Sequence, residues 1–354
     1  MKLEDNIRKV IPYVAGEQPK DKNIIKINTN ECPYPPAPGV QRLIEGLSYA
    51  DLRLYPDPNV SALAEALAER YGVDSDRVFV GVGSDDVLNV AFVTYFNSGK
   101  PILFPDVTYS FYDVWADLYG IPYKTVPLKD DWSLDVDAFC DAGEVGGIIF
   151  PNPNAPTGLA AGLSDIEKIV KAHPECVVIV DEAYVDFGAE SALSLIDKYE
   201  NLVVVQTFSK SRAMAGLRVG YAISNRNLIK YLEDVKFSIN SYTMNRPSIE
   251  LGVEAVRDEE YFRSILKRII ATREKTKNAL RELGFSFPDS SANFIFASHD
   301  RLPASEIFEY LKSKGIYVRY WNKPRINNCL RITIGTDEQM DKFIETLREM
   351  PGMQ

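Results

Sequence analysis

The chain has 354 residues, 45% of them hydrophobic and 25% charged, with a formal net charge of -10. That length exceeds what one compact core usually carries, so two domains are expected, and the charged fraction is that of a globular protein. An acidic chain without a basic block is a poor partner for nucleic acid or an anionic membrane, and no stretch approaches the ~18 apolar residues of a membrane span.

Cys32, Cys140, Cys176 and Cys329 are far apart and form no CxxC pair, which argues against a zinc site or a disulfide framework. Isolated thiols and a charged N-terminal MKLEDNIRKV without an apolar signal core lead us to expect a soluble, cytoplasmic protein. His173 and His299 are the only histidines, so a Ser-His-Asp or histidine-metal mechanism has little to build with. His173, in KAHPEC, reads as a surface or loop residue.

Residues 1–45 are proline-rich and read as an irregular arm, with PYPPAPG at 33–39. VSALAEALAERYG (60–72) has helical spacing and ends in glycine. VFVGVG (78–83) is a strand that runs into Gly-Ser-Asp-Asp and a helix from about 85 to 96. PILFPD (101–106) is a strand, and FYDVWADLYG after it a helix. GGIIFP (146–151) is a strand and SDIEKIVKAH (164–173) a helix with a serine cap. VVIVDEAY (177–184), LVVVQTF (202–208) and LRVGYAI (217–223) are further strands, the first two without alternation and so buried on both faces. Strands separated by helices predict an α/β large domain over 46–245, a mostly parallel sheet sandwiched by helices. From 246 to 283 the pattern is one long helical run, interrupted near Arg257. SANFIFAS (291–298), a helix at 304–314, IYVRYW (316–321), LRITIG (330–335) and a helix at 337–348 complete a smaller α+β domain, 246–354.

Polar residues cluster where the strands end, which is where an open sheet binds ligands. Asp181 ends one strand, Tyr184 lies three residues on, Lys210 follows another strand and Arg218 lies eight residues beyond it. A lone aspartate there is commonly a cap and a lone lysine commonly solvated; together they are more specific. With NAPTG (154–158), DEAY (181–184), SKSRAMAGLRVGY (209–221) and LRITIGT (330–336), in order and over essentially the whole chain, the sequence resembles the fold-type I pyridoxal-phosphate aminotransferases.

The resemblance assigns roles that chemistry explains. An aldehyde cofactor needs an amine nucleophile, and Lys210 supplies it and then shuttles the proton between substrate Cα and cofactor C4′. Asp181 keeps the ring nitrogen protonated, since an opposite charge favours the charged form. Tyr184 donates to the ring's phenolic oxygen. Gly83, Ser84 and Asp85 open a helix whose N–H groups point at the cofactor phosphate, and Ser209 and Arg218 complete the cup. A capped helix without a ligand is the plainer reading of that turn. Tyr109 matches the ring that stacks on the cofactor, though a core tyrosine would look the same. Ala155 stands where many relatives have an asparagine that bonds the phenolic oxygen. Asn154 through a shifted loop, or Asn152 or another residue, then takes that part, and Asn154 is our choice.

NTNECPYPP (28–36), LRLYPDP (52–58) and IPY (11–13) resemble most the branch acting on histidinol phosphate with 2-oxoglutarate, which gives imidazole-acetol phosphate and glutamate. By that resemblance Tyr55 reaches the cofactor phosphate of a neighbouring subunit, which implies a homodimer; a loop tyrosine packed on proline is the alternative. Arg331 binds the substrate's carboxylate or phosphate, with Arg319 a second clamp and Tyr13 and Asn240 at the rim. Arg319 also reads as a strand-surface arginine. An aromatic-amino-acid aminotransferase and a threonine-phosphate decarboxylase of the same family stay open. A regulatory module that binds the cofactor is a different-class alternative, but no helix-turn-helix segment or basic patch supports it.

Overall fold

Unbroken apolar runs form the centre of the molecule, because a strand covered on both faces has no polar side to show. The computed structural model describes residues 2–21 and 23–353, apart from the side chain of Tyr49. In chain order the first elements are β1 (Ile25–Lys26), α1 (Pro38–Gly46), α2 (Ser61–Tyr71), β2 (Val78–Gly81), α3 (Ser84–Tyr95), β3 (Ile102–Pro105), α4 (Tyr112–Tyr119) and β4 (Tyr123–Val126). Next come α5 (Val136–Cys140), β5 (Gly147–Pro151), α6 (Leu163–Ala172), β6 (Val178–Asp181), β7 (Leu202–Thr207), β8 (Gly220–Ile223) and α7 (Arg226–Ile239). The rest are α8 (Arg246–Arg257), α9 (Glu259–Glu282), β9 (Phe285–Ser286), β10 (Phe294–His299), α10 (Ala304–Ser313), β11 (Ile316–Tyr317), β12 (Arg319–Tyr320), β13 (Leu330–Thr333) and α11 (Asp337–Arg348).

Seven strands form one sheet in the order β2-β8-β7-β6-β5-β3-β4. β8 runs antiparallel to both neighbours and the other pairs are parallel. Successive side chains of a strand leave opposite faces, so the two faces feed two cores. Val178, Val180 and Val204 pack with Leu67, Ile166 and Ile169 of α2 and α6. Ile179, Val203 and Val205 pack with Leu88, Trp115 and Leu232 of α3, α4 and α7. This is the expected mostly parallel sheet sandwiched by helices.

A second, antiparallel sheet has the order β12-β13-β10-β9, and its core joins Phe294 and Ile332 to Phe343 and Leu347 of α11. β1 pairs in parallel with β11, so part of the N-terminal segment sits beside this smaller unit. The arm is less irregular than its prolines suggest. Pro38 opens α1, since proline's missing N–H costs nothing in a first helical turn. The helical run after 246 is two helices, broken at Asp258, whose carboxylate accepts from Tyr261 N at 3.0 Å and caps α9. IYVRYW divides into β11 and β12. His173 is not a surface residue: it is buried, with Nε2 2.7 Å from Phe139 O, because the imidazole closes the end of α6 against α5.

Candidate active site

Parallel strands bring their carboxyl ends to one edge of the sheet, and that edge holds the charged residues. Asp181 is the last residue of β6 and is buried. Its carboxylate accepts from Tyr112 OH at 2.8 Å and from Ala183 N at 3.2 Å. Burial pushes this carboxyl up to about 6; the two donors and the Lys210 charge hold it from rising further. Lys210 follows β7, with Nζ 3.3 Å from Thr29 O and 5.8 Å from the centre of the Tyr184 ring. Tyr184 is fixed by Phe294, edge-on at 5.0 Å, and its hydroxyl accepts from Asn30 Nδ2 at 2.8 Å.

Beside this floor lies the turn into α3. Gly83 precedes the helix at φ 85, with Ser84 and Asp85 in the first turn. Glycine is favoured there because φ 85 is a backbone conformation that other side chains rarely adopt, and a Cβ would also come 2.5 Å from Arg218 Nη2. Arg218 donates to Ser209 Oγ at 3.4 Å and to Asp85 Oδ2 at 3.1 Å. Tyr109 OH donates to the other oxygen of Asp85 at 2.7 Å. The expected cup residues are therefore assembled around one helix N-terminus, with Asp85 competing for the guanidinium that an entering phosphate would seek.

Above the floor opens a cavity of about 370 Å³, lined among others by Tyr13, Tyr109, Tyr184, Lys210, Arg319 and Arg331. Tyr13 is held there by stacking on Phe111, with 4.1 Å between ring centres. Arg331 donates to Asn28 O at 2.9 Å, while its Nε is buried without a partner among the described residues. Burial presses the Arg331 guanidinium below its ordinary value; the nearby Arg319 charge adds to this and Tyr184 opposes it. Two guanidiniums with donors to spare suit an anion.

Three expected residues lie elsewhere. Asn154 neither lines the cavity nor bonds to any residue of the cup or to Lys210, Asp181 or Tyr184. Its carbonyl accepts from Thr108, and its amide donates to Val107 O and Thr157 Oγ1, so the loop itself consumes its hydrogen bonds. The asparagine that meets the Tyr184 hydroxyl is Asn30, from NTNECP. Tyr55, 79% exposed, packs on Tyr242 at 4.6 Å, and Asn240 is exposed at the end of α7, its side chain accepting from Tyr242 N. Neither lines the cavity, and Leu52, Leu54 and Ile239, near them in the sequence, are exposed as well. Sequence reasoning also missed Tyr112, hidden among 19 tyrosines.

A lysine amine, a buried carboxylate and a phenol at the ends of parallel strands, beside a glycine-opened helix and an arginine, define the site of a fold-type I transferase. The close approach at Gly83, the amine facing the cavity and the unpartnered Arg331 Nε fit a phosphate-bearing aldehyde and an anionic substrate. The model of the family "Aminotransferase class I and II" matches residues 22–347. The chain belongs to that family. It is 50% identical to the histidinol-phosphate aminotransferase of Brachyspira hyodysenteriae, over 98% of each chain, and 52% identical to that of Marinomonas sp., again over 98% of each. A solved histidinol-phosphate aminotransferase from Sinorhizobium meliloti, in complex with pyridoxal-5'-phosphate, superposes with a TM-score of 0.83 at 25% identity, covering 92% of this chain and 91% of that one.

Proposed function

We propose that this aminotransferase binds pyridoxal 5'-phosphate through Lys210 and moves the amino group of L-histidinol phosphate to 2-oxoglutarate, a step of histidine biosynthesis. One observation carries the reading: Lys210 opens into the same cavity as Arg319 and Arg331, so an amine nucleophile and two anion-binding groups face one space. Curated relatives that match nearly the whole chain carry that activity in their names.

When bound, the cofactor supplies an electron sink for the carbanion at the substrate's Cα. Gly83, Ser84, Ser209 and Arg218 would hold its phosphate and Asp181 its ring nitrogen. The Tyr184 hydroxyl, bonded to Asn30, would face its phenolic oxygen. Lys210 provides the nucleophile and carries the proton at Cα. Arg331 and Arg319 take the phosphate of one substrate and the distal carboxylate of the other, and Tyr109 and Tyr13 line the path between. The exposed Tyr55–Tyr242 pair, with Leu52, Leu54 and Ile239 exposed near it in the sequence, supports a homodimer in which Tyr55 serves the neighbouring site. Free thiols support a reducing cytoplasm, and no described helix is long and apolar enough to cross a membrane.

A substrate panel tests the reading. Purified holoenzyme is mixed with histidinol phosphate, phenylalanine, glutamate and threonine phosphate, and the cofactor absorbance is followed. Histidinol phosphate and glutamate should convert the band fastest. Faster conversion by phenylalanine, or carbon dioxide release from threonine phosphate, would move the chain to another activity of the family.

A further inference from the structure

Arg319 and Arg331 are directly opposite each other in the antiparallel pairing of β12 with β13. Sheets avoid that arrangement, because like charges on facing positions repel. Among the described residues no carboxylate forms an ion pair with either one, and the Arg319 side chain has no hydrogen-bond partner. What both touch is one ring. The Trp321 indole centre lies 5.1 Å from the Arg319 guanidinium carbon and 5.2 Å from that of Arg331. Trp321 directly follows β12, and its ring turns to the side where the two guanidiniums lie. It also lines the cavity. We infer that Trp321 is a positioning residue which holds the two guanidiniums side by side before the anion arrives, and so sets the preference for a phosphate over a carboxylate.

The physics favours an indole here. Its negative face attracts a cation without neutralising it, so the charges stay available to the ligand. A carboxylate in the same place would pair with the arginines and compete with the substrate. A phosphate dianion spans both cations, whereas a carboxylate is served by one fork. Loss of the indole should therefore weaken phosphate binding more than carboxylate binding. Arg331 has a second ring, Phe294 at 5.5 Å, and the bond to Asn28, so Arg319 is the arginine that would drift.

The inference rests on the proposed function, and the test separates the two. Wild-type, Trp321→Leu and Trp321→Phe holoenzymes are compared for kcat and KM with histidinol phosphate and with glutamate, and for inhibition of the glutamate reaction by inorganic phosphate. The leucine variant should raise the histidinol-phosphate KM and the phosphate inhibition constant roughly tenfold, with kcat nearly unchanged and the glutamate KM raised about twofold. Phenylalanine keeps a weaker π face and should cost about threefold. A phenylalanine variant equal to wild type, a loss that falls on kcat, or equal losses for both substrates would overturn the role; the phenylalanine variant reads it even if the leucine variant misfolds. A wild-type enzyme that ignores histidinol phosphate sinks the proposed function instead, and phosphate inhibition then still reads Trp321.

Discussion

The floor and the rim of the cavity are built by opposite rules. On the floor and in the turn beside it nearly every polar group has a protein partner: Asp181 has Tyr112 and Ala183, Tyr184 has Asn30, and Arg218 has Ser209 and Asp85. On the rim, Arg319 has only the Trp321 ring and Arg331 keeps an unpartnered Nε. Satisfied groups on a rigid sheet edge are preorganised, which suits chemistry repeated on every substrate. Unsatisfied cations suit a ligand that comes and goes, since the ligand completes their bonds. The contrast assigns rate to the floor and selectivity to the rim.

Substitutions can break that division. Lys210→Ala should cut transamination roughly 10⁴-fold or more and abolish covalent attachment of the cofactor, as measured by single-turnover absorbance. Asp181→Asn should slow proton removal by about 10²-fold with little change in substrate KM. If instead KM rises and the rate holds, the floor is not the seat of the chemistry. Arg331→Lys loses the planar fork and should raise KM for both substrates about 10- to 100-fold while kcat changes far less.

The smallest expected effect is on pH. Burial raises the Asp181 carboxyl to about 6 in the cofactor-free protein. Above that pH it is ionised and ready to pair with a ring cation; below it the carboxyl must first lose a proton. Cofactor rebinding should therefore weaken by up to about tenfold per unit as pH falls below 6, and Asp181→Asn should flatten that slope. The raised value also means that Asp181 contributes a loss of apoprotein stability as pH rises from 3.8 through about 6, because the folded state there holds the extra proton.

The same division governs what the sequence reveals. Lys210, Asp181 and Arg218 are legible because each follows an unbroken apolar strand or sits in a local motif, and parallel strands gather such ends. Gly83 is legible because the strand–glycine–helix order is local. Asn30 is not, because its partner Tyr184 is 154 positions away and only the fold brings them together. Asn154 looks free in NAPTG, yet the loop's own geometry consumes its amide. Tyr112 and Trp321 act through helix placement and cross-strand register, which single-strand patterns do not encode. The helix at Pro38–Gly46 is hidden for a related reason, since the prolines that open it also mark irregular chain.

The most direct test concerns Lys210 itself. Holoenzyme is reduced with borohydride, digested, and the cofactor-labelled peptide is sequenced by mass spectrometry. The label should fall on Lys210, in the peptide that carries Ser209 and Ser211. A label on any other lysine, or none, would contradict the placement of the chemistry at the end of β7.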